Sequence, residues 1–175
     1  MSPSEQPRRH ALELRLPPPL VFALATGLTL GVNRLTPEAW QIRSGPLAEA
    51  LGSTTFEALR WTWIAAAIGL AAWAIASFKR AGTTTDPGEP DRASVLVTNG
   101  PFRWVRNPMY LALVCILAAL ALGTPSPAAW LSWLVLPAYL TRFQIHPEER
   151  LLTARFGPEY LEYRRHTGRW LPRVL

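Results

Sequence analysis

Residues 107–141 form an uncharged run of 35 residues, and no other feature limits the fold as strongly. As one helix, rising about 1.5 Å per residue, the run would be about 50 Å long, well beyond a hydrocarbon core of roughly 30 Å. Its middle reads "GTPSP" at 123–127, and two prolines with a glycine make a turn. The run therefore predicts a tight helical hairpin, about 108–122 and 128–143, whose arms are short for a membrane span. Two further uncharged runs, 16–33 and 61–78, hold 18 residues each. Each matches the roughly 17–25 residues that a spanning helix needs.

The composition agrees with these blocks. Hydrophobic residues make up 49% of the chain and charged residues 17%, with eight tryptophans. Together these predict an all-α integral membrane protein with about four transmembrane helices and a C-terminal cytoplasmic helical segment, 144–175, in a single domain spanning 1–175. The first run reads as a retained helix. It starts proline-rich, and no small-residue cleavage site is followed by a soluble mature domain.

Charge sets the orientation. With four spans, the segments 1–15, 79–106 and 142–175 share one side, and they carry 15 of the 18 basic residues. An excess of Lys and Arg marks the cytoplasmic side, so both termini are expected there, in a cell inner membrane. The net charge of +6 then needs no nucleic acid, because basic residues beside a span suit anionic lipid headgroups. Charged residues are absent from the span centres, which disfavours an ion pathway.

Several chemistries lack their residues. Cys115 is the single cysteine, so it can form no intrachain disulfide and reads as a packing residue. His10, His146 and His166 are too scattered for a metal site, and no metal is expected. There is no G-x-G-x-x-G after a strand, no phosphate-binding loop and no H-E-x-x-H.

Between the spans, 1–15 is expected to be polar and frayed, and 34–60 to be a polar outer loop. The stretch 79–106 reads as a long irregular loop in which "SVLV", 94–97, is a short extended piece. In the tail, Pro147 suits a first helical position, with Glu148 and Glu149 in the first turn. Gly157 ends that helix and Pro158 starts another.

Two charged motifs bracket the hairpin. Arg106-Asn107-Pro108-x-Tyr110 opens its first arm, and Glu148-Glu149 follows its second. Taken singly, the first is an interfacial anchor and the second a favourable use of a helix dipole. Both are placed at the open end of the hairpin, where they can meet as an ion pair or as a polar pocket at the membrane surface. Phe156, Tyr160 and Tyr163 share an apolar stripe downstream, with Trp170 as an anchor. Such a surface-lying helix is compatible with covering a cofactor.

In this order, "LVTNGPFRWVRNPMYL", an apolar hairpin, "EERLLTARFGPEYLEYRR" and "RWLP" resemble the isoprenylcysteine carboxyl methyltransferase / phospholipid methyltransferase family of integral membrane enzymes. "FKRAGTT", 78–84, looks like its small prokaryotic branch. The resemblance covers about 78–173. It implies methyl transfer from S-adenosylmethionine to a lipophilic or small hydrophobic acceptor: an isoprenylcysteine-like carboxylate, a thiol or a lipid amine. It further implies that Arg106, Asn107, Pro108, Tyr110 and Tyr160 line the cofactor pocket, and that Glu148 and Glu149 face the ribose and methionine portion. The family places a functional arginine shortly after the second tyrosine of Y-x-x-Y. His166 stands there in this chain, so the role either passes to Arg165 or Arg169, which join Glu149 as the catalytic candidates, or is lost. Membrane lipid is the expected surrounding. The competing expectation is a non-catalytic four-helix membrane scaffold.

Overall fold

The computed structural model describes residues 13–41, 50–82 and 94–173. Helix α1 is Pro18–Leu35, followed by a 3₁₀ turn at Glu38–Trp40. Helix α2, Ser53–Ala81, leads to a second 3₁₀ turn at Gly100–Arg103. The hairpin consists of α3, Pro108–Leu122, then α4, Pro127–Ser132, and α5, Val135–Leu140. A π-helical turn, Thr141–Ile145, joins α5 to α6, His146–Phe156, and α7 is Pro158–His166. Among the described residues there is no strand. "SVLV" is irregular, and an isolated parallel bridge links Val105 to Gly168.

The first arm of the hairpin coincides with its expected bounds because Pro108 starts it and Gly123 follows its last residue. Ser126 caps the second arm, accepting from the Ala129 N–H at 3.2 Å. That arm is not the single helix 128–143 that the sequence predicts. Pro137 has no N–H to offer the Trp133 carbonyl four residues back, and the helix breaks at Trp133 and Leu134. Helix α2 also departs from expectation, starting at Ser53 inside the supposed outer loop. Glu57 and Arg60, one turn apart, pair along its side and let it begin early.

Membrane-span criteria separate these helices. Ser53–Ala81, about 43 Å long, is the one described helix that is both long and apolar enough to cross a membrane. Pro108–Leu122 is apolar but has 15 residues. Of the four expected transmembrane helices, the one at 61–78, within α2, meets these criteria among the described residues.

The helices nevertheless alternate in direction. At one end Thr36 meets Ser126, their hydroxyls 2.6 Å apart, and Arg60 lies against Gly123. At the other, Gly100 lies against Ser77 and Trp73, and Leu14 donates its N–H to the Phe143 carbonyl at 3.0 Å. Lys79, Arg80, Arg103, Arg106 and Arg142 belong to this second end, and Arg34 and Arg60 to the first. The core between is made by Val21, Tyr110, Val114, Leu117, Leu136 and Leu140. Outward, Leu24, Leu28, Trp61, Trp63, Ile68 and Leu131 are exposed. A surface so apolar marks contact with lipid or a partner.

The segment just before α1 is fixed rather than frayed. Glu13 is buried and paired with Arg142, at 3.1 Å, and with Arg150. Leu14 takes a positive φ of 57°, which costs a non-glycine residue roughly 1–2 kcal/mol. Residues 1–12 of the expected frayed segment lie outside the described residues.

Candidate functional site

The site is built where α3 begins and α6 begins, both at the basic end of the bundle. Pro108 is buried at the first turn of α3, where a missing N–H is harmless. It leaves Arg106 and Asn107 just ahead of the helix and Tyr110 inside it. On α6, Pro147 plays the same part, and Glu148 and Glu149 occupy the first turn.

Glu149 is gripped from two sides. Arg106 Nη2 donates to its Oε1 at 2.7 Å, and Arg169 Nη2 donates to its Oε2 at 2.6 Å. Both arginines add an Nε contact to Oε1, at 3.3 and 3.1 Å. Burial would raise the Glu149 carboxyl, but hydrogen bonds from Arg169 and Arg106 outweigh it and hold the group below its ordinary range. Arg169 is raised in turn, first by its bond to Glu149.

Arg106 also fastens the chain that follows α7. Its Nη1 donates to the Thr167 carbonyl and, at 3.3 Å, to the Arg164 carbonyl, so the cation lies at the negative end of that helix. Its backbone N–H donates to the Gly168 carbonyl at 2.8 Å. Asn107 does not cap α3; its amide donates to the Arg169 carbonyl at 3.1 Å. Trp170 Nε1 donates to the Thr141 hydroxyl at 3.0 Å. These bonds lay residues 164–170 as a strap across the mouth of the hairpin. Gly168 suits the crossing because a Cβ there would run into the Leu171 carbonyl.

Glu148 lies in different surroundings. Tyr110 donates its phenol hydrogen to Glu148 Oε1. Burial pushes the Glu148 carboxyl up to about 8; the Tyr110 bond opposes this, and the neighbouring Glu149 charge adds to it. Consecutive carboxyls on one helix thus hold different protonation states at neutral pH. Tyr160 is buried beside them and raised, by burial first and then by Glu149, so its hydroxyl stays protonated. Tyr163 donates to the Phe102 carbonyl at 2.7 Å, tying α7 to the turn before α3.

Arg106, Asn107, Pro108, Tyr110, Glu148, Glu149, Tyr160 and Arg169 are therefore gathered in one place. Arg165 is not. Its side chain is 75% exposed and pairs with Glu162 at 3.2 Å, and His166 pairs with the same carboxylate at 2.8 Å. The hydrogen-bonding roles of Thr141, Tyr163 and Gly168 are not legible in the sequence, because each depends on how the strap folds back.

A family model for phospholipid methyltransferases matches residues 58–159, more than half of the chain. The chain belongs to the phospholipid methyltransferase family. The matched stretch contains both arms of the hairpin and both carboxylates, and it ends before the strap. An uncharacterized protein of Haemophilus influenzae is 40% identical over 63 residues, which is 36% of this chain and 100% of that relative. No solved structure matches the chain. Membership of the phospholipid methyltransferase family makes methyl transfer the chemistry to test against the site. Among the described residues, no group of three or more His, Cys, Asp or Glu side chains could hold a metal ion.

The donor set suits S-adenosylmethionine. Arginine forks match a carboxylate. Glu148, which accepts from the Tyr110 hydroxyl, has further acceptor capacity for an amine or a ribose diol.

Proposed function

We propose that this protein is an S-adenosylmethionine-dependent methyltransferase that acts on a lipophilic or small hydrophobic acceptor at the cytoplasmic face of a cell inner membrane. The observation that carries this reading is the buried Arg106–Glu149 pair, joined by the partly exposed Arg169, beside the Tyr110–Glu148 pair, within and just beyond the family-matched stretch. The alternating helices, the exposed apolar exterior and the basic end support a bundle that crosses the membrane with both ends cytoplasmic.

Bound at the mouth, the cofactor would supply an electrophilic methyl group on a sulfonium. The chain's own part is to hold donor and acceptor in line at about 3–3.5 Å and to exclude water. Arg106 and Asn107 fix the strap, which closes the site on its polar side. Arg169, one-third exposed and on the strap itself, is the arginine able to reach a cofactor carboxylate. We assign it the role that the family pattern leaves open between Arg165 and Arg169. Glu149 holds the two arginines together, and Glu148 offers a carboxyl whose proton can leave when a cation arrives. The apolar helices behind the site bring a membrane-dissolved acceptor to it.

Mutual pairing of Arg106, Glu149 and Arg169 also suits a purely structural clasp in a non-catalytic scaffold. Labelled methyl transfer decides between the two. Detergent-solubilised protein is given S-adenosylmethionine with a labelled methyl group and three acceptors: a prenylcysteine carboxylate, a hydrophobic thiol and an ethanolamine phospholipid. The proposal expects label in the organic extract with at least one acceptor. Folded protein that transfers label to none, and does not bind S-adenosylhomocysteine, is a scaffold.

A further inference from the structure

We propose that Glu13, through its grip on Arg142 and Arg150 across the π-helical turn, is a positioning residue for the Glu148–Glu149 pair. This rests on the methyltransferase reading, and it begins from a fault in the helix. Pro147 has no N–H for the carbonyl four residues back, that of Phe143. The chain widens there into the turn Thr141–Ile145, closed by the His146 N–H on the Thr141 carbonyl. One extra residue turns everything after it by about 100° relative to an unbroken α-helix. That rotation decides which way Glu148 and Glu149 face.

Residues 13–16 hold this turn from outside. The Leu14 N–H donates to the Phe143 carbonyl, the one that Pro147 cannot serve, at 3.0 Å. Gln144, fully buried inside the turn, donates its amide to the Leu16 carbonyl at 2.6 Å. Glu13, 3% exposed at its side chain, bridges one arginine within the turn and another immediately after Glu149. The same short segment accepts a left-handed backbone at Leu14, a conformation that persists only where its surroundings over-determine it. Three separate bonds and a tolerated strain therefore converge on one turn, and that turn sets the aim of the carboxylates that meet Tyr110, Arg106 and Arg169. Glu13 does not touch the cluster; it acts through α6.

The test uses the full chain in detergent and two readouts. Calorimetric titration with S-adenosylhomocysteine reads the site, and hydrogen–deuterium exchange reads the turn. Glu13→Gln is expected to weaken binding about tenfold, as a small misplacement of site groups does. Exchange over 141–150 rises while exchange within α2 stays as in the wild type. Glu13→Asp recovers part of the affinity. Binding within about twofold of wild type, with unchanged exchange over 141–150, overturns the proposal. A wild type that does not bind defeats the methyltransferase reading instead, and the exchange comparison still decides whether Glu13 holds the turn. Should Glu13→Gln not fold, Arg142→Gln, which leaves Glu13 with Arg150, is expected to give a smaller change of the same sign. No change in Arg142→Gln overturns the proposal equally.

Discussion

Arg106 and Glu149, 43 residues apart in the chain, meet at 2.7 Å as a buried ion pair with side chains 7% and 9% exposed. The pair joins the start of the hairpin to the helix that follows it. Removing Arg106 leaves the buried Glu149 with Arg169 and releases the strap carbonyls. Arg106→Ala is expected to lower stability by about 2 kcal/mol. Arg106→Lys keeps the charge but loses the fork, so its loss is smaller. Thermal unfolding in detergent measures both, and a neutral Arg106→Ala would show that the pair is not holding the mouth.

Glu148 gives the fold a pH dependence. Its carboxyl titrates near 8 in the folded protein and in the ordinary carboxylate range when unfolded. Between those values the folded state keeps a proton that the unfolded state releases. Stability from this group is therefore complete at acid pH, falls as pH rises toward 8, and levels off above it. One proton makes the slope on the order of 1 kcal/mol per pH unit. Glu148→Gln, which keeps an acceptor for Tyr110, is expected to flatten the decline between about pH 5 and 8. Melting midpoints across that range check it, and an equal slope in both proteins contradicts it.

The strap depends on Gly168. A Cβ there meets the Leu171 carbonyl, which is backbone and cannot swing away. Gly168→Ala is expected to cost about 2 kcal/mol and to free the strap. Gly123→Ala provides the contrast, because a Cβ there meets the Arg60 guanidinium at 2.9 Å, the end of a flexible side chain. Limited proteolysis near residues 165–172 should quicken in the first variant and not in the second.

Much of this arrangement is legible in the residues. Pro108, the "GTPSP" turn, Gly157 and Pro158 mark helix boundaries because each imposes a local backbone constraint, and each boundary is where it is expected. The meeting of Arg106 with Glu149 follows from placing opposite charges at both feet of one hairpin. Other features lack a local signal. Pro137 and Pro147 are visible, but whether a proline breaks, kinks or widens a helix depends on what else can satisfy the freed carbonyl. Leu14, distant in sequence, does so for Phe143. Glu13 looks like one more acid in a polar leader, since its arginines come more than a hundred residues later. Arg165 and Arg169 are equivalent candidates by position because α7 ends at His166, after which helical periodicity no longer says which side chain turns inward.

That last ambiguity leads to the measurement bearing most directly on the central claim, calorimetric titration of S-adenosylhomocysteine into wild type, Arg169→Ala and Arg165→Ala. The account predicts saturable one-site binding in wild type, a loss of about tenfold or more in Arg169→Ala, as for a hydrogen-bonded charge at a binding site, and no change in Arg165→Ala. No binding to folded wild type, or equal affinity in wild type and Arg169→Ala, would contradict a cofactor site at the mouth of the hairpin.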